Sequence, residues 1–186
     1  MPMTHNVHFD PLTEKTFDTY IKVGTMAYNQ HYRHLWPNGD TYPYIQTSFT
    51  RAVLVKEQSN NNTQLFLIKQ HTQCVGILKL ITDCGLDDYS KEKALYLDKI
   101  YIIKQASGKG IGTKTLQFVL LQAMAKNKIL IWLAAMQKGS ALHFYLKNGF
   151  CIHSTTEIKF KQALKAEKPM YILKKKITQL TIQPSR

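Results

Sequence analysis

The sequence predicts an α+β domain built on a mixed sheet with a single parallel crossover. Three observations carry that reading. Strand-length apolar runs separated by turn residues fill residues 50–104. One long amphipathic helical pattern, residues 112–126, lies between two strand-like runs, 94–104 and 129–135. A strand–helix–strand passage makes a parallel pair, whereas tight hairpin turns make antiparallel ones.

Taken in order, residues 11–29 carry Leu12, Phe17, Tyr20, Ile21, Val23 and Met26 at near-helical spacing, with Asp10-Pro11 as a start signal. An aromatic segment, 31–44, follows and ends as a loop bearing Pro37, Gly39 and Pro43. Residues 50–57 (T-R-A-V-L-V-K-E) and 64–70 (Q-L-F-L-I-K-Q) read as a hairpin around the S-N-N-N turn at 59–62. Residues 74–82 continue the antiparallel pattern after a turn at 71–73, and 85–93 form a polar loop before strand 94–104. In helix 112–126, Leu116, Val119, Leu120, Ala123 and Met124 share one face. Residues 129–135 are apolar on both faces, as a central buried strand is. A short helix, 140–148, has Ser140 as its N-cap and Gly149 as its left-handed C-terminal residue. Strands 150–160 and 169–177 complete the pattern.

The 186 residues fit one domain. No window approaches the roughly 18 uninterrupted apolar residues of a membrane helix, and residues 1–10 lack the apolar core of a signal peptide. Cys74, Cys84 and Cys151 are widely spaced, with no C-x-x-C pair. The expectation is a soluble, cytoplasmic protein with reduced thiols and no membrane partner. The formal net charge of +13 favours a polyanionic ligand, a phosphorylated cofactor among them. A solvated basic surface accounts for the rest, and no nucleic-acid partner is expected.

The most informative stretch is Gln105-Ala106-Ser107-Gly108-Lys109-Gly110-Ile111-Gly112, between a strand and an amphipathic helix. Alternating glycines let the backbone curl and gather N–H groups at one point, and the helix N-terminus adds about half a positive charge. Such a turn suits a pyrophosphate. It is not a Walker loop, which needs G-x-x-x-x-G-K-[ST]. Nor is it the dinucleotide fingerprint, whose glycines are spaced G-x-G-x-x-G.

Q-x-x-G-x-G on a strand-to-helix turn resembles the coenzyme A signature, [RQ]-x-x-G-x-[GA], of the GNAT superfamily of N-acetyltransferases. Further on, S-A-L-H-F-Y-L-K-N-G-F at 140–150 resembles that family's second signature, A-x-x-F-Y-x-x-x-G-F. Leu97-Asp98-Lys99-Ile100-Tyr101-Ile102 is similar to the strand L-x-x-[IL]-Y-V that precedes the first. The resemblance implies a mostly antiparallel twisted sheet of about seven strands with a splayed parallel pair, flanked by about four helices. It divides the single domain into N-terminal helices and acceptor region (1–49), antiparallel strands (50–104), an acetyl-CoA-binding core (105–150), C-terminal strands (151–177) and a tail (178–186).

By the same resemblance the cofactor is acetyl-CoA. Its pyrophosphate would lie on the amides of Gly108, Lys109, Gly110, Ile111, Gly112 and Thr113, with Gln105 at the start of the turn. The pantetheine arm would pair like a strand with Ile100, Tyr101 and Ile102, and a backbone amide there would stabilise the oxyanion. Tyr145 matches the tyrosine that acts as general acid toward the departing sulfur. Two positions depart from the family pattern. Tyr96 stands near the usual glutamate base, with Asp98 two residues on, and Lys138 replaces a frequent asparagine.

The family's acceptor site is shaped by the first helices and the turn after them, here residues 28–44. Tyr32, His34 and Trp36 offer an aromatic wall for a cationic amine, and Asp40 a counter-charge. His31 and His34 without a third ligand do not make a metal site, and none is expected. This stretch resembles the PaiA-like group, associated with spermidine and spermine acetylation, although a polycation is repelled by a +13 protein unless the pocket is locally acidic. The expected partner is therefore a small primary amine acetylated by direct attack in a ternary complex, with the protein a monomer or homodimer. The alternatives are a protein or peptide N-acetyltransferase, or a non-catalytic basic regulator that binds coenzyme A or nucleic acid.

Overall fold

A computed structural model describes residues 6–177. Seven strands form one sheet: β1 (Val7–Pro11), β2 (Thr63–Gln70), β3 (Gln73–Ile81), β4 (Ala94–Ile102), β5 (Leu130–Met136), β6 (Cys151–Glu157) and β7 (Pro169–Lys176). Their order is β1-β2-β3-β4-β5-β7-β6, and only β4 and β5 run parallel. The helices are α1 (Phe17–Tyr32), α2 (Tyr42–Ser48), α3 (Arg51–Gln58), α4 (Ile111–Ala125) and α5 (Ser140–Lys147). Among the described residues, no helix is long and apolar enough to cross a membrane.

Register sorts the helices between the two faces. Phe66, Leu78 and Ile100 align across β2, β3 and β4, and Leu67, Ile77 and Tyr101 form the adjacent row. Adjacent rows point to opposite faces. Phe66 meets Phe118 of α4, which also stacks on Phe9 at 4.2 Å, so α4 covers the first face. Tyr101 meets Tyr28 and Tyr32 of α1, so α1 covers the second. Along α1 the buried residues Phe17, Tyr20, Gly24, Ala27 and Tyr28 recur at the spacing of one helical face. Gly24 is there for closeness: a Cβ would come within 2.6 Å of the Phe49 ring.

Three predicted segments are different in the structure. Residues 50–57 are not a strand but helix α3, capped by Thr50, whose Oγ1 accepts from the Val53 amide at 3.3 Å. Short V-L-V runs do not distinguish helix from strand, and here the cap decides. The seventh strand is instead β1, which takes the place beside β2. Asp10 and Pro11, expected to start a helix, close that strand. Proline is tolerated because β1 is an edge strand, where one row of amides has no ladder partner. The helix begins later, at Phe17 after a 3₁₀ turn, Glu14–Thr16. The 31–44 segment also contains the 3₁₀ turns Arg33–Leu35 and Pro37–Gly39 and the start of α2, rather than ending as a loop. The tail, 178–186, lies outside the described residues.

Candidate active site

The site begins where two strands part. β4 and β5 pair only at Ala94–Leu130, Leu95–Ile131 and Tyr96–Trp132. The Tyr96 and Trp132 rings pack at a tilt, 4.2 Å apart, where the pairing ends, and Trp132 Nε1 donates to the Cys84 carbonyl at 2.8 Å. Just beyond, a bulge in the β3–β4 register bends β4 away, and a gap opens between Ile100–Ile102 and Met136.

That gap is lined by main-chain polar groups. Antiparallel pairs alternate between bonded and non-bonded rows. Ile103 N donates to Val75 O, so the Val75–Ile103 and Ile77–Tyr101 rows are bonded. Ile100 and Ile102 fall in the intervening rows and turn their N–H and C=O groups away from β3, toward the gap. The Ile102 carbonyl accepts from His31 Nε2 at 2.9 Å; a carbonyl only accepts, so Nε2 carries the proton. Gln30 adds two bonds from the same end of α1. Its Oε1 accepts from Lys104 N at 2.7 Å, and its Nε2 donates to Gln105 Oε1 at 3.3 Å.

The glycine turn follows. Gly108 and Gly110 have φ of +75° and +76°, which other residues rarely adopt, and a Cβ on either would project into open space. Gly112 serves differently, since a Cβ there would come within 3.0 Å of the Phe144 ring. Six consecutive amides, Gly108 to Thr113, have no hydrogen-bond acceptor among the described residues; the first amide of α4 to be bonded is Lys114, to Gly110 O at 3.1 Å. The first amides of any helix lack an internal acceptor, and the left-handed turn extends that series backward.

Gap and turn open into one cleft of about 660 Å³. Of the sequence-expected residues, Ile100, Tyr101, Ile102, Gly108, Gly110, Gly112, Thr113, Tyr145, Tyr32 and His34 line it. The others do not. Ile111 has its side chain in the core. Lys109 projects to solvent. Gln105 faces Gln30. Trp36 is 2% exposed, its Nε1 donating to the Tyr28 hydroxyl, and Asp40 accepts from the Tyr42 amide. The sequence reading missed His31, Lys138, Phe144 and Lys147 on the wall. A signal for His31 existed: Tyr28, His31 and Tyr32 share one helical face by spacing.

Burial controls the phenols. Tyr145 packs edge-on to Phe144 and Phe150, and burial pushes its pKa well above the ordinary tyrosine range, with the Tyr32 and Tyr96 hydroxyls adding to the effect. Its hydroxyl has no hydrogen-bond partner among the described residues. Tyr32 is pushed up to about 12, mainly by burial.

Asp98, the nearby carboxylate, is committed elsewhere. Lys79 Nζ bridges Glu57 at 2.6 Å and Asp98 at 2.9 Å, and Lys99 reaches Asp98 at 3.0 Å. Burial alone would raise the Asp98 pKa, but the Lys99 and Lys79 ammonium groups outweigh it and hold the carboxyl below its usual value. Asp98 therefore stabilises the fold above the unfolded carboxylate pKa, near 4, and that contribution disappears as pH falls through its lower folded value. Asp98→Asn is expected to cost about 3 kcal/mol at pH 7 by leaving two largely buried ammonium groups short of charge. Urea unfolding measures this; the deficit should shrink in acid, and a loss under about 1 kcal/mol would show the cluster to be dispensable.

Residues 61–152 match the family model described as acetyltransferase (GNAT) domain. Solved structures share the fold across most of the chain. The PaiA N-acetyltransferase of Thermoplasma acidophilum, in complex with coenzyme A, is 18% identical with a TM-score of 0.72, covering 92% of this chain and 99% of its own. A GNAT family acetyltransferase from Elizabethkingia anophelis, with acetyl-CoA bound, is 16% identical with a TM-score of 0.59, covering 92% and 99%. A spermidine N-acetyltransferase SpeG chimera from Vibrio cholerae and hSSAT is 15% identical with a TM-score of 0.66, covering 91% and 94%.

Proposed function

Since residues 61–152 form a GNAT acetyltransferase domain, we propose that the chain transfers the acetyl group of acetyl-CoA to the primary amine of a small molecule, attacked directly in a ternary complex. The observation that carries this reading is the run of six acceptor-free amides, 108–113, at the mouth of a gap on whose side β4 has no strand partner beyond Tyr96. The amides suit a diphosphate, and the N–H groups of Ile100 and Ile102 with the Ile100 C=O suit an amide-bearing arm, the Ile102 carbonyl being held by His31. When bound, acetyl-CoA supplies the acyl group as a thioester.

This chain's residues then divide the work. The Ile100 amide, in the gap, is placed to donate to an oxyanion. The Tyr145 phenol stays protonated because of its burial, and it donates to the departing sulfur. An attacking alkylamine must first lose a proton, since its pKa is near 10. The wall offers imidazole for that proton, from His31 and His34, and no carboxylate. The whole chain acts as one domain, and its three unpaired thiols fit a reducing, cytoplasmic setting.

The likeness to PaiA N-acetyltransferase and to the SpeG chimera supports a small-molecule amine acceptor, and Tyr32 on the wall fits an alkyl chain. An amine panel with acetyl-CoA, read by thiol release, tests the reading; it includes spermidine, aminoglycosides and short peptides. Amine-dependent thiol release is expected. Thiol release that ignores every amine, with no coenzyme A binding by calorimetry, would overturn it.

A further inference from the structure

Charge on the cleft wall narrows the acceptor class. None of the chain's twelve Asp and Glu residues lines the cleft. The undescribed ends, 1–5 and 178–186, contain neither type, so they supply none. The carboxylates on the framing elements are already engaged. Asp98 and Glu57 neutralise Lys79 and Lys99, and Glu167 accepts from Lys138 at 2.9 Å. Among the described residues, the ionisable nitrogen groups on the wall are His31, His34, Lys147 and Lys138, the last already paired with Glu167.

The aromatic residues do not compensate. A cation needs an open ring face. Tyr28 stacks face to face with Tyr44 at 3.9 Å, and Trp36 is buried against Phe160 at 5.4 Å. Of the two rings that composition suggested for a cationic substrate, Trp36 is lost to packing, and Tyr32 tilts against Tyr28 at 5.1 Å and Tyr101 at 5.6 Å. A second ammonium on the acceptor would therefore meet cations, imidazoles and a net charge of +13. A carboxylate or phosphate would meet imidazole and ammonium N–H donors.

From this charge distribution we propose that the preferred acceptor is a primary amine that also bears an anionic group, and that diamines and polyamines are disfavoured. The proposal rests on the acetyl-transfer reading above and specifies its second substrate. His34, exposed on the wall next to Tyr32, is the residue that reads the acceptor's charge.

The test compares acceptors of equal chain length with the purified protein and acetyl-CoA. 5-Aminopentanoate and 4-aminobutyl phosphate are set against 1,5-diaminopentane, with kcat/KM read from thiol release. A preference of about tenfold or more for the anionic amines is expected, shrinking in 0.5 M salt; the carboxylate and phosphate arms show which anion is favoured. His34→Glu should shift the ratio about tenfold toward the diamine, with His34→Gln between the two. The ratio cancels changes in chemistry common to both acceptors. A diamine that matches or exceeds the anionic amines overturns the proposal, as does an unmoved ratio in His34→Glu or no turnover of any of the three. The acetyl-transfer reading survives those results as long as calorimetry shows acetyl-CoA binding and another amine releases thiol.

Discussion

Gly110→Val is expected to weaken coenzyme A binding at least about 100-fold, measured by calorimetry. Two effects act together. A valine at φ +76° is strained, at a cost of roughly 1–3 kcal/mol, which displaces the turn. Its Cβ would also enter the open space on which the acceptor-free amides border, where a diphosphate must come close. Gly39→Ala is the control for strain without blockage: Gly39 has φ +71° and room for a Cβ, and it does not line the cleft. That variant should retain most of the affinity. Undiminished affinity in Gly110→Val, with the fold intact by circular dichroism, would remove the turn from cofactor binding.

Tyr145→Phe should lower kcat about 100-fold while coenzyme A affinity stays within about threefold. The ring remains in its place between Phe144 and Phe150, so packing is preserved and only the hydroxyl is lost. Because burial raises the phenol pKa well above the ordinary range, the wild-type group is protonated at every working pH. The loss should therefore be nearly constant from pH 6 to 9, rather than appearing as a shifted limb. Turnover unchanged across that range would take Tyr145 out of the mechanism.

The residues at 105–113 were legible because their chemistry is local: glycines that permit a left-handed turn, followed by a helix whose first amides are unpaired whatever the rest of the chain does. The gap was legible only through resemblance. It depends on where β4 and β5 stop pairing and on a bulge opposite Lys79 and Leu80, and neither leaves a mark in composition. β1 escaped notice because its five residues include His8, Asp10 and Pro11, all poor strand signals, and an edge position excuses them. Trp36 and Asp40 were misplaced for a related reason: an aromatic-rich segment does not disclose which rings face one another, and here Trp36 turns inward to Tyr28 and Phe160. Asp98 was legible as a carboxylate near the site, but its ties to Lys79 and Lys99 arise from register across two strands.

The three hydrogen bonds from Gln30 and His31 to Ile102, Lys104 and Gln105 have a consequence for the geometry of attack. The end of α1 leads directly into Tyr32 and His34, while Ile102 leads directly into the glycine turn. Anchoring one to the other aligns the amine's approach with the acyl donor's seat while the protein is still empty. The entropy of bringing nucleophile and electrophile into line is then settled when the chain folds, and each turnover starts from an apparatus already aimed.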